Sequence, residues 1–119
     1  MMTPKEVVQI AAKALNDKKG KDIKVLKTHN LTTLCDYFVI CTGTSSTHIK
    51  SLTDEIDRAM SGAGEPPIRR EGYRSNWVLL DFGCVVAHVF TEDAREFYKL
   101  ERLWSDAEEI DLSSLIGPC

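Results

Sequence analysis

An α/β domain of the α+β kind, built on a mixed sheet of about five strands, is the fold class this sequence predicts. Three observations predict it. The run "LCDYFVICTG" is almost continuously apolar and rich in strand formers, as a strand covered on both faces must be. A helical pattern of Ile49, Leu52, Ile56 and Met60 follows it directly. Two further strand patterns, Asn76–Phe82 and Cys84–Phe90, flank Gly83. One crossover helix followed by hairpins gives a mixed sheet with helices mainly on one face.

The elements before and between these fit the same plan. Thr3-Pro4-Lys5-Glu6 is a capping box with proline at the first helical position. Val7, Ala11, Ala14 and Leu15 then recur at helical spacing, so a helix is expected over residues 4–19, ended by Gly20. "DIKVLKTH" alternates Ile23 and Val25 against lysines and reads as a half-exposed strand. "GTSS" is a turn and helix cap, and its helix should run to about Ser61, before Gly62, Gly64, Pro66 and Pro67 break the chain. A short strand is expected around Ile68–Gly72. Thr91-Glu92-Asp93 opens a short helix over residues 93–99, its acids favoured by the N-terminal dipole. The domain is taken to span residues 1–107. The acidic stretch from Ser105 onward is expected to fray, with residues 108–119 a flexible tail.

The 119 residues make one domain, long enough to bury a core without staples. The net charge of −3 is unevenly spread. Residues 1–30 hold seven lysines against Glu6, Asp17 and Asp22, while residues 92–111 hold eight acids against Arg95, Lys99 and Arg102. A basic segment suits RNA and an acidic one suits a basic protein, although each is also what an ordinary solvated surface looks like. The four cysteines form no C-x-x-C pair and have no histidine cluster, so no zinc site is expected. Free thiols in apolar runs fit a reducing cytosol. With no signal-peptide pattern and no 18-residue apolar stretch, the expectation is a cytoplasmic protein away from the membrane.

Two motifs invite catalytic readings. Asp81-Phe82-Gly83 spells the magnesium-binding tripeptide of protein kinases, but that aspartate works with H-R-D, a glycine-rich loop and a strand lysine, none of which occurs here. "CTGTSST", between a strand and a helix, is placed to hold a phosphate, as in nucleotidyltransferases. Their metals need two carboxylates two residues apart on a strand, whereas two residues after Asp36 stands Phe38. Capping accounts better for Ser45 and Ser46. No catalytic residue, metal or cofactor is therefore assigned.

The strand around Trp77 is unusual in another way. Trp77, Leu79 and Asp81 share one face and Val78, Leu80 and Phe82 the other, so both faces carry large apolar groups. Either both are covered or one is an apolar patch with a charge at its edge, the pattern of a protein interface.

"CDYFVICTGTSSTHI", "EGYRSNWVLLDFGCVVAHVF" and "REFYKLERLW", in this order and spacing, resemble the ribosomal silencing factor, or Iojap-like, family. The resemblance covers about Val7 to Ala107. This chain carries Cys84 where the family usually has an acid, and Ala87 where it usually has a β-branched residue. The resemblance implies a translational repressor that docks on ribosomal protein number fourteen of the large subunit and blocks joining with the small subunit when nutrients are scarce. It also implies a nucleotidyltransferase-like topology without the catalytic carboxylates, and a homodimer when free. A large-subunit assembly factor and a small metal-dependent nucleotidyltransferase are the alternatives; contact between the lysine-rich segment and ribosomal RNA stays open. Carried over through the motifs, the partner-binding candidates are Trp77, Asp81, His88, Phe90, Arg95, Tyr98, Glu101, Leu103 and Trp104. Trp77 and Tyr98 would be anchors, and Asp81 and Glu101 would meet basic groups.

Overall fold

A computed structural model of the chain describes residues 3–28, 36–72, 76–98 and 108–110. Among these residues, three helices and six strands follow one another as α1 (Pro4–Asp17), β1 (Lys21–Lys27), β2 (Tyr37–Gly43), α2 (Ser46–Gly62), β3 (Arg69–Glu71), β4 (Trp77–Asp81), β5 (Val85–Thr91), α3 (Glu92–Tyr98) and β6 (Glu108–Ile110). The strands form one mixed sheet in the order β3-β4-β5-β2-β1-β6. β2 and β5 run parallel, joined through the α2 crossover, and the other pairs are antiparallel. The apolar run around β2 is thus central, as its composition requires.

The first helix starts as the sequence predicts. Thr3 Oγ1 accepts from the Glu6 backbone and Glu6 Oε1 from that of Thr3, both halves of the capping box. It ends differently. The helix stops at Asp17, and Lys19 takes the left-handed conformation at φ 61°. Gly20 has another duty: a Cβ there would lie 2.4 Å from Cys41 Sγ. It lets the turn press against the central strand.

α1 and α2 cover one face of the sheet. Val8, Ala11, Leu15, Leu52, Ile56 and Met60 pack on Val25, Val39, Cys41, Val78, Leu80, Ala87 and Val89. The short edge strand β3 is held to this layer by Arg70. Its guanidinium donates to Asp54 at 2.8 Å, Asp57 at 3.0 Å and Thr53 at 3.2 Å on α2. A forked donor suits this three-point clamp better than a lysine would.

α3 lies on the opposite face. Ala94 joins a second cluster with Leu26, Ile40 and Phe90, against which Phe38 and Trp77 pack. Leu26 is therefore buried, although the alternation of β1 places it among lysines. The expected frayed tail is also corrected in part. Glu108–Ile110 pairs antiparallel with β1, and Ile110 packs against the main core.

Candidate partner-binding face

The face opposite α1 and α2 collects alternate residues from four strands. Register sets Trp77 beside Phe90, Leu79 beside His88 and Asp81 beside Val86 across β4 and β5. On the other side of β5, Ile40 stands beside His88 and Phe38 beside Val86. α3 closes only one end. There Arg95 Nη1 donates to Thr42 Oγ1 and to the Asp22 carbonyl, both at 2.7 Å, and ties α3 to β2 and to the start of β1. Trp77, Leu79, Val86 and Phe38 stay half-buried.

The aromatic rings hold one another. Trp77 stacks on Phe90 with centroids 5.0 Å apart, an arrangement worth about 0.5–1.5 kcal/mol beyond area. His88 meets Phe38 edge-on at 5.0 Å and lies nearly parallel to Phe90 at 6.2 Å. The Trp77 indole Nε1 donates to His88 Nδ1 at 3.1 Å. An indole N–H can only donate, so Nδ1 is unprotonated and the imidazole proton sits on Nε2. Nε2 is buried and has no hydrogen-bond partner among the described residues. Such an orphan costs about 1–3 kcal/mol. Burial also pushes the His88 pKa down to about 4, so the ring is neutral at ordinary pH.

Asp81 has a local role. Its Oδ1 accepts from the Gly83 backbone N–H at 2.8 Å, an Asx-type turn, and Gly83 takes φ 85°. Its Oδ2 faces Arg69 of β3 at 3.2 Å. Both oxygens serve the hairpin and its neighbouring strand. Among the described residues, no group of three His, Cys, Asp or Glu side chains converges. The "CTGTSST" turn is a cap: Ser45 Oγ accepts from the His48 backbone at 3.1 Å. His48 itself bridges two elements. Its Nδ1 accepts from the Thr44 backbone at 2.9 Å, and its Nε2 lies 2.8 Å from the Lys18 carbonyl. Burial raises the thiol of Cys41 to about 12 and that of Cys84 above its usual value, so neither is poised as a nucleophile.

The nine candidate residues thus separate. Trp77 and Asp81 lie on the open face. His88 and Phe90 are on the same face but buried, at 4% and 0% exposure, so in the free chain they support the surface rather than present it. Arg95 is engaged in tying α3 down. Tyr98 ends α3, and its side chain lies outside the described residues, as do Glu101, Leu103 and Trp104. The sequence reading missed Phe38 and Arg69. The period of two along β2 marks Phe38 as sharing the face of Ile40. Nothing local marks Arg69 as the partner of Asp81. Phe97 on α3, also not singled out, is 80% exposed.

The family model described as "Ribosomal silencing factor during starvation" matches residues 1–117, well past Ala107. The chain is similar to the ribosomal silencing factor RsfS of Halalkalibacterium halodurans, 36% identical over 98% of this chain and 100% of the relative. It is similar to the Bacillus subtilis protein of the same name, 39% identical over 93% and 95% of the two chains. A crystal structure of a Chromobacterium violaceum protein superposes with a TM-score of 0.85 at 37% identity, over 87% of this chain and 88% of that one. Match length, identity and shared architecture agree: the chain belongs to the ribosomal silencing factor family.

Proposed function

We propose that this protein represses translation by docking its open sheet face on the large ribosomal subunit, at ribosomal protein number fourteen, and so blocking the small subunit from joining. Membership of the family supports ribosome association. The observation that carries the choice of surface is the half-buried row of Phe38, Trp77, Leu79 and Val86, which α3 leaves incompletely covered. Apolar and aromatic groups that are ordered but not sealed are what interface anchors require.

Charge supports the same direction. Glu92, Asp93 and Glu96 are exposed on α3, and Glu108 and Glu109 on β6. Ribosomal proteins are generally basic, and complementary charge speeds encounter and sets register more than it adds affinity. The action is steric and needs no reacting group. The proposed site of action follows from the ribosome association of the family and is the cytoplasm.

The test is sedimentation with isolated large subunits at low micromolar concentration, followed by a joining assay with small subunits. The protein should co-sediment and reduce the yield of joined ribosomes, and Trp77→Ala should weaken both effects at unchanged fold. Failure of the wild-type chain to sediment would overturn the proposal.

A further inference from the structure

The buried His88 poses a question that packing does not answer. A leucine would fill its place between Phe38 and Phe90 without leaving a nitrogen unpartnered. The imidazole brings two polar atoms into a space 4% exposed, and Nε2 finds no hydrogen-bond partner there among the described residues. What the ring adds over a leucine is one acceptor, Nδ1, and that acceptor receives the indole N–H of Trp77 at 3.1 Å. Trp77 is the diagonal cross-strand neighbour of His88: it stands beside Phe90, two residues along β5.

Beside that bond the indole stacks on Phe90. Stacking limits tilt but lets a ring slide and turn in its plane. One hydrogen bond from the ring edge removes that freedom. Ordering a side chain before encounter lowers what association must pay in entropy.

We propose that His88 is a positioning residue, buried beneath the docking face, that fixes the indole of Trp77 in the orientation a partner meets. It acts through Trp77 and makes no partner contact of its own. This rests on the docking reading above, and it names a residue that an interface mapped by exposure alone would pass over.

The experiment uses the full chain, labelled with 15N, and isolated large subunits. The sequence holds two tryptophans, so Trp77→Phe assigns the Trp77 indole N–H resonance by its disappearance. His88→Leu should shift that resonance toward a solvated indole, with a cooperative melt retained, and weaken docking by about tenfold. His88→Asn places an amide oxygen near the position of Nδ1, and should restore both the resonance and most of the docking. In a Trp77→Ala background His88→Leu should weaken docking no further, because the residue through which it acts is gone.

An indole resonance unmoved by His88→Leu overturns the inference. So does an equal loss of docking in the wild-type and Trp77→Ala backgrounds, which would mean a direct contact or a general structural role. A wild-type chain that leaves large subunits unbound overturns the docking reading instead. The two failures therefore appear in different measurements.

Discussion

The face under α1 and α2 is aliphatic and dry: Val39, Cys41, Val78, Leu80, Ala87 and Val89 are each at most 1% exposed. The opposite face, made by the alternate residues of the same strands, is aromatic and only partly sealed. Phe38, Trp77, Leu79, Asp81 and Val86 there are half-buried, and Phe90 and His88 lie beneath them. The first face is closed by two long helices whose apolar stripes match it. The second has a seven-residue helix at one end, and its rings steady one another. The two sides of one sheet thus differ: one is sealed by helices, and the other keeps half-buried groups at its surface.

The sharpest way to break this comparison is to damage each face in turn. Leu80→Ala, on the dry face, removes a fully buried side chain from the main core. It should cost about 2–5 kcal/mol in urea unfolding. Trp77→Ala removes a larger side chain but one already half in water, and should cost less. A Trp77→Ala loss equal to or above that of Leu80→Ala would mean that the second face is core, and the division would fail.

Acid sharpens the comparison through His88. Its folded pKa is about 4 against an ordinary 6.5, so the unfolded chain takes up a proton that the folded one refuses. The associated stability is fully present above pH 6.5 and is lost as the pH falls toward 4. By then the loss is about 3 kcal/mol. Other groups act lower. Burial raises the Asp54 carboxyl, but hydrogen bonds from Arg70 and Lys50 outweigh it and leave the group below 3.8. The carboxyl of Glu6, hydrogen-bonded by Thr3, lies below 4.5, as does that of Glu55, hydrogen-bonded by Arg58. Urea melts from pH 7 to 4.5 should therefore slope in the wild type and flatten in His88→Leu. Equal slopes would remove His88 as the acid-sensitive group.

A smaller effect belongs to the turn beneath the dry face. Gly20→Ala would set a methyl 2.4 Å from Cys41 Sγ and 3.0 Å from the Leu15 carbonyl. Overpacking of this kind costs about 1–3 kcal/mol. Pairing it with Cys41→Ala should recover part of the loss, since the sulfur is the nearer obstacle. No recovery would place the strain in the backbone.

These elements also show what could be read from the sequence. The capping box, the central strand, the crossover helix and the Gly83 hairpin were all legible, because each is specified by neighbours in the chain. The clamp of Arg70 on α2 and the pairing of Arg69 with Asp81 were not: their partners are 12 to 17 residues away and meet only through the sheet. β6 was missed because Glu108-Glu109-Ile110 has no strand signal of its own and borrows its pairing from β1. The candidate face was legible as a pattern, since alternation puts Trp77 and Asp81 on one side. Which of its members would be buried was not. Phe90 is a partner-binding candidate in the sequence and is sealed by Trp77 and Ala94 in the fold.

The smallest expected change bears on Asp81, whose two oxygens do separable things. Asp81→Asn keeps an oxygen for the Gly83 N–H, so the Asx turn survives, but it removes the charge facing Arg69. That pair is partly exposed, and such pairs are worth about 0–1 kcal/mol, so the melt should scarcely move. Docking need not follow stability. If Asp81 also meets a basic group on the partner, Asn should weaken docking several-fold and reduce its salt dependence while the melt stays put. If Asp81 serves only its hairpin, Asn should leave docking and its salt dependence at the wild-type level. In that case the working part of the open face would be its aromatic row alone.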